Sequence, residues 1–179
     1  MKHIILVTGL PRIGKTTVLL RTAEELSSMG YKVGGMISRE VLEGSFRVGF
    51  EVEDYVSGEK GWLAHSHRSV GPRIGKYRVS LQDLDSIGVA AILRAFKNAD
   101  IVLIDEIGPM ELLSENFRDA VIKVVNGAKP MFGTVHYRTQ DHLVTRLKAR
   151  KDSEIVVVTV ENRTQLPTNI LTKFLGLNI

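Results

Sequence analysis

The 179-residue sequence has no cysteine, no apolar run of membrane-spanning length and no block of like charge. The absence of cysteine excludes disulfides and cysteine-ligated metal sites. The first apolar run ends after Val7, too early for a membrane span or a signal peptide, so we expect a cytoplasmic protein without a membrane partner. The 24 Lys and Arg residues are interspersed with 20 Asp and Glu residues, and no nucleic-acid-binding motif accompanies the net charge of +4. A nucleic-acid partner is therefore unsupported.

Apolar segments and helical patterns alternate through most of the chain. Ile4–Thr8 and residues 101–105 are almost entirely apolar, which predicts strands buried on both faces of a parallel sheet. Further strands are predicted at residues 32–38, 131–136 and 155–160, and helices at residues 15–29, 84–99, 114–125, 140–151 and 166–175. This alternation predicts an α/β fold in which helices cover both faces of a mostly parallel sheet.

Residues 41–80 show a different pattern. Residues 46–55 alternate apolar and polar side chains, as a half-exposed strand does, and residues 62–64 and 77–79 are short strand candidates. We interpret residues 41–80 as a small antiparallel β insertion within a single domain that spans residues 1–179. We expect the domain to be a monomer.

The segment GLPRIGKT, residues 9–16, matches the phosphate-binding pattern G-x-x-x-x-G-K-[ST] and joins a predicted strand to a predicted helix. Glycines allow the loop to wrap a phosphate with backbone N–H groups, and the N-terminus of the helix adds a partial positive charge. Lys15 would reach the β- and γ-phosphates, and the Thr16 hydroxyl would bind Mg²⁺. The predicted nucleotide-binding residues of this segment are Gly9, Leu10, Pro11, Arg12, Ile13, Gly14, Lys15, Thr16 and Thr17.

A second segment, GPRIGKYRV at residues 71–79, repeats five of those letters in order. Val70 occupies the position of the first required glycine, and Tyr77 follows the lysine where Ser or Thr is needed. A strand pattern, not a helix, comes next, so this segment is not predicted to bind phosphate. Two interpretations remain: a basic turn that leads into a strand, or a charged lid in which Arg73 or Lys76 folds over the nucleotide.

The apolar run at residues 101–104 ends in Asp105 and Glu106, the arrangement expected for a magnesium-binding carboxylate beside a phosphate loop. Asp105 would hold Mg²⁺ through water. Glu106 is the candidate general base that polarises the attacking water, and the alternative is that it caps the following turn. Ile107 and Gly108 are predicted to contact the nucleotide, and the loop formed by Gly108 and Pro109 to lie close to the γ-phosphate.

Polar residues after two later strands complete the predicted site. His136 is a candidate sensor of the γ-phosphate, and Arg138 a candidate for neutralising charge in the transition state, although a capping or packing role suits each equally well. After the last strand, Asn162 and Arg163 could contact the base or ribose. Gln165 stands where guanine-specific proteins place an aspartate, so we predict loose base selection.

Six segments stand out along the chain: TGLPRIGKTT, GGMISRE, VGPRIGKYRV, LIDEIGPMEL, TVHYR and ENRTQLP. Together they resemble the small thermostable nucleoside triphosphatases of archaea and bacteria, whose relatives include the animal cancer-related nucleoside-triphosphatase. The resemblance implies a P-loop NTPase core and Mg²⁺-dependent hydrolysis of many nucleoside triphosphates, with diphosphates hydrolysed less efficiently. Where the family's acidic motif often has lysine after its glycine, this sequence has Pro109, so no role of that lysine is transferred.

Three functions stay open at this point. Hydrolysis is the first, and a nucleotide or small-molecule kinase, which needs the same phosphate loop and metal, is the second. The third is a nucleotide switch regulated by RNA or by a protein.

The strand that ends at Asp105 lies either next to the strand of the phosphate loop or one strand away, and Glu106 favours the second arrangement by family analogy.

Overall fold

A mixed sheet runs through the computed structural model, which describes residues 4–176. In that part of the chain its nine strands are β1 (Ile4–Thr8), β2 (Val33–Glu43), β3 (Phe46–Asp54), β4 (Lys60–His65), β5 (Arg73–Ile74), β6 (Tyr77–Val79), β7 (Ile101–Ile107), β8 (Met131–Val135) and β9 (Ser153–Val157). The helices are α1 (Lys15–Ser28), α2 (Leu81–Asp83), α3 (Ala90–Asn98), α4 (Glu115–Asn126), α5 (His142–Ala149) and α6 (Leu166–Leu175). A π-helical segment, Leu84–Val89, joins α2 to α3, and Glu111–Leu113 forms a 3₁₀ turn.

The strand order is β5-β6-β4-β3-β2-β7-β8-β1-β9. Strands β2, β7, β8, β1 and β9 are parallel, and the other four pair antiparallel at one end of the sheet. The predicted α/β class is confirmed. Strand β8 lies between β1 and β7, so the strand that ends in the acidic pair is one strand away from the strand of the phosphate loop.

Strand β2 belongs to both parts of the sheet. Its first residues pair parallel with β7, whereas the stretch from Met36 to Glu43 pairs antiparallel with β3. The strand therefore continues five residues beyond its predicted end at residue 38 and crosses the predicted boundary at residue 41. The apolar pattern did not predict this extension, because the second half of the strand is not buried on both faces and carries polar side chains such as Arg39 and Glu40.

The alternation of side chains along β1 divides the core into two layers. Ile4 and Leu6 pack with residues of α3, α4 and α5, whereas Ile5 and Val7 pack with residues of α1 and α6. All four side chains are at most 1% exposed. Within residues 4–176, none of the helices combines the length and apolar character needed to cross a membrane.

Side-chain caps set the ends of two helices on one face of the sheet. Ser114 accepts a hydrogen bond from Phe117 N at 3.0 Å and begins α4, as predicted. Asp141 accepts one from Leu143 N at 2.8 Å, so α5 begins at His142, two residues later than predicted. Asp141 also accepts a hydrogen bond of 2.6 Å from Arg118 and so ties α4 to α5.

Gly35 is required by the close approach of β2 to β7. Its φ is +134°, and a Cβ there would collide with the carbonyl oxygen of Leu103. We therefore expect Gly35→Ala to lower the free energy of unfolding by at least about 2 kcal/mol, measured by urea denaturation. Gly44, with φ +60° and nothing within 4 Å of an added Cβ, is the matched control. Gly44→Ala should cost only about 1 kcal/mol, and equal losses in the two variants would contradict the close-contact explanation.

Candidate active site

The loop between β1 and α1 has the backbone shape that its sequence predicts. Gly9 and Gly14 have φ values of +151° and +110°, and a Cβ on Gly9 would lie 2.8 Å from the carbonyl oxygen of Val158. Arg12 has a φ of +61°, which is unusual for a residue with a side chain. Its guanidinium donates a hydrogen bond of 2.8 Å to Glu40 of β2, outside the loop. The loop thus directs backbone and the N-terminus of α1 toward the carboxyl edge of the sheet.

Asp105 is the polar centre of this edge. Its side chain is 1% exposed, and it accepts hydrogen bonds from Thr16 Oγ1 at 2.9 Å and from Thr134 Oγ1 at 2.5 Å. Burial raises the pKa of Asp105, while the two hydroxyl donors and the charge of Lys15 oppose that rise. Strand β8 supplies Thr134 because it lies between β1 and β7. The three side chains therefore join the phosphate loop, β7 and β8 at one point.

Thr16 and Asp105 suit a magnesium ion by the chemistry of their oxygens. Mg²⁺ prefers oxygen ligands and is commonly held by one or two carboxylates together with substrate phosphates and water. Within residues 4–176 no group of three or more His, Cys, Asp or Glu side chains could hold a metal on its own. The residues present thus fit a cation that arrives with a nucleotide, and they do not form a closed protein cage.

Lys15 and Glu106 face each other beside Asp105. The Lys15 ammonium lies 3.9 Å from the Glu106 carboxylate, and the two side chains are 11% and 23% exposed. Lys15 Nζ also donates to the carbonyl oxygens of Gly9 and Leu10, both at 3.3 Å. Burial raises the pKa of Glu106 to about 7; the positive charge of Lys15 opposes this rise and the negative charge of Asp105 adds to it. A carboxylate with such a pKa is well suited to accept a proton near neutral pH.

Glu111 is a second buried carboxyl group at the site, and the sequence patterns did not single it out. It is 5% exposed, and burial together with the charge of Glu106 raises its pKa well above the ordinary value. A Cβ on Gly108 would lie 3.0 Å from Glu106 Oε1, 3.1 Å from Glu111 Oε2 and 3.4 Å from His136 Cβ. The absence of a side chain at Gly108 thus lets these groups converge. The sequence feature that could have identified Glu111 is the segment GPMEL, in which a glutamate interrupts an otherwise apolar turn.

A cavity of about 480 Å³ lies in front of these groups. Residues from the phosphate loop, α1, β2–β5, β7 with the loop that follows it, and the loop after β8 contribute to its wall. Its lining consists of Gly9, Pro11, Arg12, Gly14, Lys15, Thr16, Thr17, Ser38, Glu40, Arg47, Phe50, Leu63, Ile74, Glu106, Pro109, Met110, Glu111, His136 and Tyr137. Its size and its mixture of apolar and polar walls are those of a small-molecule site.

The structure brings only one of the two predicted residues after β8 to the cavity. His136 lines the cavity, and its Nδ1 lies 3.2 Å from Thr139 Oγ1. Burial, followed by the charges of Lys15 and Arg138, lowers the pKa of His136 and favours its neutral form at pH 7. Arg138 is exposed and stacks on Tyr137, with 5.2 Å between the guanidinium carbon and the ring centroid. Tyr137 lines the cavity and Arg138 does not, so the catalytic role suggested for Arg138 stays a prediction.

The loop after β9 lies on the other side of the phosphate loop. Asn162 uses its side chain within this loop: Oδ1 accepts from Thr159 N, and Nδ2 donates to Val157 O, both at 2.8 Å. Arg163 reaches Ile13 O of the phosphate loop at 3.4 Å. Arg163 therefore remains a candidate for contact with a base or ribose, whereas both polar atoms of the Asn162 side chain already hold the turn together.

The second copy of the PRIGK letters forms a β-hairpin, with Gly75 in the turn between β5 and β6 at a φ of +58°. Arg73 Nε donates to Gly75 O at 2.8 Å, and Lys76 Nζ lies 5.3 Å from the centroid of the Tyr77 ring. Of the residues at this turn, Ile74 lines the cavity and the two basic side chains do not. The hairpin thus presents an apolar side chain, not a charged one, to the cavity.

Sequence comparison identifies the family. A family model described as NTPase matches residues 4–171. The chain is 48% identical over 166 residues to the nucleoside-triphosphatase THEP1 of Thermofilum pendens, covering 92% of this chain and 91% of the relative. It is 41% identical over 175 residues to the THEP1 protein of Methanocaldococcus jannaschii, covering 96% and 97%. The chain belongs to this NTPase family.

Solved structures support the same assignment. The crystal structure of THEP1 from Aquifex aeolicus is 26% identical and matches with a TM-score of 0.83, covering 95% of this chain and 98% of the other. The solution structure of a human cancer-related nucleoside triphosphatase is 31% identical and matches with a TM-score of 0.82 over the full length of both chains. The P-loop NTPase fold expected from the sequence is therefore confirmed.

The hydroxyl of Thr134 donates to Asp105, and Thr134 itself is fully buried and does not line the cavity. Thr134→Val keeps the size of the side chain but removes one of the hydrogen-bond donors to the buried carboxylate. We expect about tenfold weaker binding of a Mg²⁺–nucleotide complex, as loss of a group that orients a metal ligand commonly causes. Thr134→Ser retains the hydroxyl and should bind within a few-fold of the parent. Calorimetric titration with Mg²⁺ and a non-hydrolysable ATP analogue measures the affinity of both variants. Equal affinities in Thr134→Val and Thr134→Ser would contradict the positioning role of the Thr134 hydroxyl.

Proposed function

We propose that this NTPase-family protein hydrolyses nucleoside triphosphates to the diphosphate and inorganic phosphate, with Mg²⁺ as its cofactor. One arrangement supports this above all others: Glu106 lies 3.9 Å from Lys15 and directly follows Asp105, which is hydrogen-bonded to Thr16. A candidate base, a phosphate-binding lysine and two metal-binding oxygens thus meet at the phosphate loop. The named relatives are nucleoside-triphosphatases, which agrees with this proposal.

In the proposed mechanism the loop and Lys15 bind the triphosphate. Backbone N–H groups of the loop residues other than Pro11 would surround the β-phosphate, and Lys15 would turn from the loop carbonyls toward the β- and γ-phosphates. Mg²⁺, held by Thr16 and Asp105, would neutralise the phosphate charge that develops as the bond to the leaving group breaks.

Glu106 would orient the attacking water and accept its proton. The water oxygen forms a bond to the γ-phosphorus, and the bond between that phosphorus and the oxygen bridging to the β-phosphate breaks. The neutral His136 at the cavity wall would contact the γ-phosphate, and Arg138 would need to swing from Tyr137 to reach it. We further propose that diphosphates react less efficiently, because a diphosphate cannot occupy the β- and γ-positions together with the full set of base and ribose contacts. The cytoplasmic location and monomeric state expected from the sequence stay predictions.

Exchanging Glu106 for glutamine tests the base directly. Glu106→Gln keeps the shape of the side chain but cannot take a proton, so we expect it to bind Mg²⁺–ATP and to hydrolyse it at least about a hundredfold more slowly. Lys15→Ala is the complementary variant, which should lose both binding and turnover. Phosphate release and calorimetric binding are measured on both proteins. Normal turnover in Glu106→Gln would remove Glu106 from the mechanism.

We also propose that base selection is broad. The loop after β9 has Gln165 where a guanine-specific protein has aspartate, and its Asn162 side chain is engaged within the turn. A site that hydrogen-bonds one base specifically rejects the others by factors on the order of 10⁴. We expect kcat/KM for ATP, GTP, CTP and UTP to agree within about tenfold, and a hundredfold preference for one of them would refute this part of the proposal.

A further inference from the structure

We propose that the apolar part of the cavity holds a second small molecule, a nucleoside-like compound whose hydroxyl replaces water as acceptor of the γ-phosphoryl group. This part, called the acceptor chamber below, is lined by Phe50, Leu63, Ile74, Pro109 and Met110, with Arg47 at its edge. The inference rests on the proposed function, because it uses the same nucleotide and the same base.

The sheet order separates the acceptor chamber from the nucleotide's own base. The phosphate loop follows β1, and the loop of Asn162 and Arg163 follows β9, the neighbour of β1 at one edge of the sheet. The chamber lies beyond β7 in the opposite direction, where β2, β3, β4 and β5 meet. A nucleotide that extends from the loop toward Arg163 leaves the chamber clear. Of the described residues, none that follows β9 lines the cavity.

Hydrolysis alone gives no reason for an apolar wall at this position. A water molecule needs only the polar groups around Glu106, whereas the partly buried side chains of Phe50, Ile74 and Met110 offer a surface on which an organic molecule would be desolvated. Leu63 is 1% exposed and belongs to the main core, against which these three side chains pack. The chamber therefore suits a ligand with a substantial apolar part.

The aromatic and charged groups of the chamber indicate the shape of that ligand. The guanidinium of Arg47 lies over Phe50, 5.0 Å from the ring centroid, and Phe50 contacts Tyr77 edge-to-face with 5.5 Å between centroids. Flat side chains of this kind favour a planar ring as partner. Arg47 and Arg12 are both ion-paired with Glu40, at 2.9 and 2.8 Å, so two guanidinium groups share one carboxylate. A nucleoside supplies a planar ring for Phe50 and Arg47 and brings no charge that would need a partner of its own.

Two buried carboxyl groups lie beside the chamber. Glu106 and Glu111 both line the cavity and converge around Gly108, which precedes Pro109 of the chamber, and Glu106 lies 3.9 Å from Lys15. In the transfer step the hydroxyl oxygen bonds to the γ-phosphorus and its proton passes to Glu106. The bond from that phosphorus to the β-bridging oxygen breaks, so that a nucleoside diphosphate and a phosphorylated acceptor leave. No further reactant is required.

The first test measures the partition of phosphate between water and an acceptor. The protein is incubated with Mg²⁺ and γ-labelled ATP, with or without millimolar adenosine, guanosine, cytidine or uridine. We expect label in a nucleoside monophosphate for at least one of the four, in addition to free phosphate. Release of phosphate without any nucleoside tests the proposed function separately. If phosphate is released but no nucleoside becomes labelled, the acceptor proposal is wrong and the hydrolase proposal stands.

Variants of the chamber then locate the acceptor. Ile74→Trp should fill the chamber and lower the ratio of labelled nucleoside to free phosphate at least tenfold. Val70→Trp, which makes a similar addition at a 71% exposed position outside the lining, should leave this ratio unchanged. Phe50→Leu, a milder change, should also lower the ratio if Ile74→Trp fails to fold. A ratio that is the same in the parent, Ile74→Trp and Phe50→Leu would place the acceptor elsewhere and overturn the proposal.

Discussion

The site depends on one buried carboxylate, Asp105, and on the two hydroxyl groups that hold it. Thr16 and Thr134 reach it from the start of α1 and from β8, so three elements that are distant in sequence meet at a single side chain. A carboxylate that is 1% exposed is stable only if its oxygens are hydrogen-bonded or paired with a cation. The need to satisfy Asp105 therefore aligns the phosphate loop with the carboxyl ends of β7 and β8.

Close backbone packing makes this alignment possible. Gly35 allows β2 to lie against Leu103 of β7, and Gly9 allows the phosphate loop to pass the carbonyl oxygen of Val158. Gly108 leaves the space in which Glu106 and Glu111 converge. At each position the side chain is missing because another group occupies its place, so these glycines contribute to the geometry of the site as much as its charged residues do.

The same edge of the sheet separates three kinds of contact. Lys15 and Asp105 lie at the centre, where phosphate and metal chemistry would occur, and Arg163 lies toward β9. The apolar chamber includes Phe50 of β3, and β3 lies on the opposite side of β7 from β9 in the sheet. A fold of this kind can change its reaction from hydrolysis to transfer by what it admits next to the γ-phosphate, because the bond that breaks is the same in both.

The sequence by itself determined the phosphate loop, the Asp105–Glu106 pair and the bounds of Ile4–Thr8 and Leu166–Leu175, because each follows from a local pattern of glycine, charge or apolar period. It also established the α/β class. Only the tertiary structure decided that β8 separates β1 from β7, that Thr134 and Glu111 join the site, and that the hairpin at Gly75 presents an apolar side chain to the cavity. Those facts depend on which strands pair across long stretches of chain, and periodicity along a sequence records only which face of an element is buried, not its neighbour.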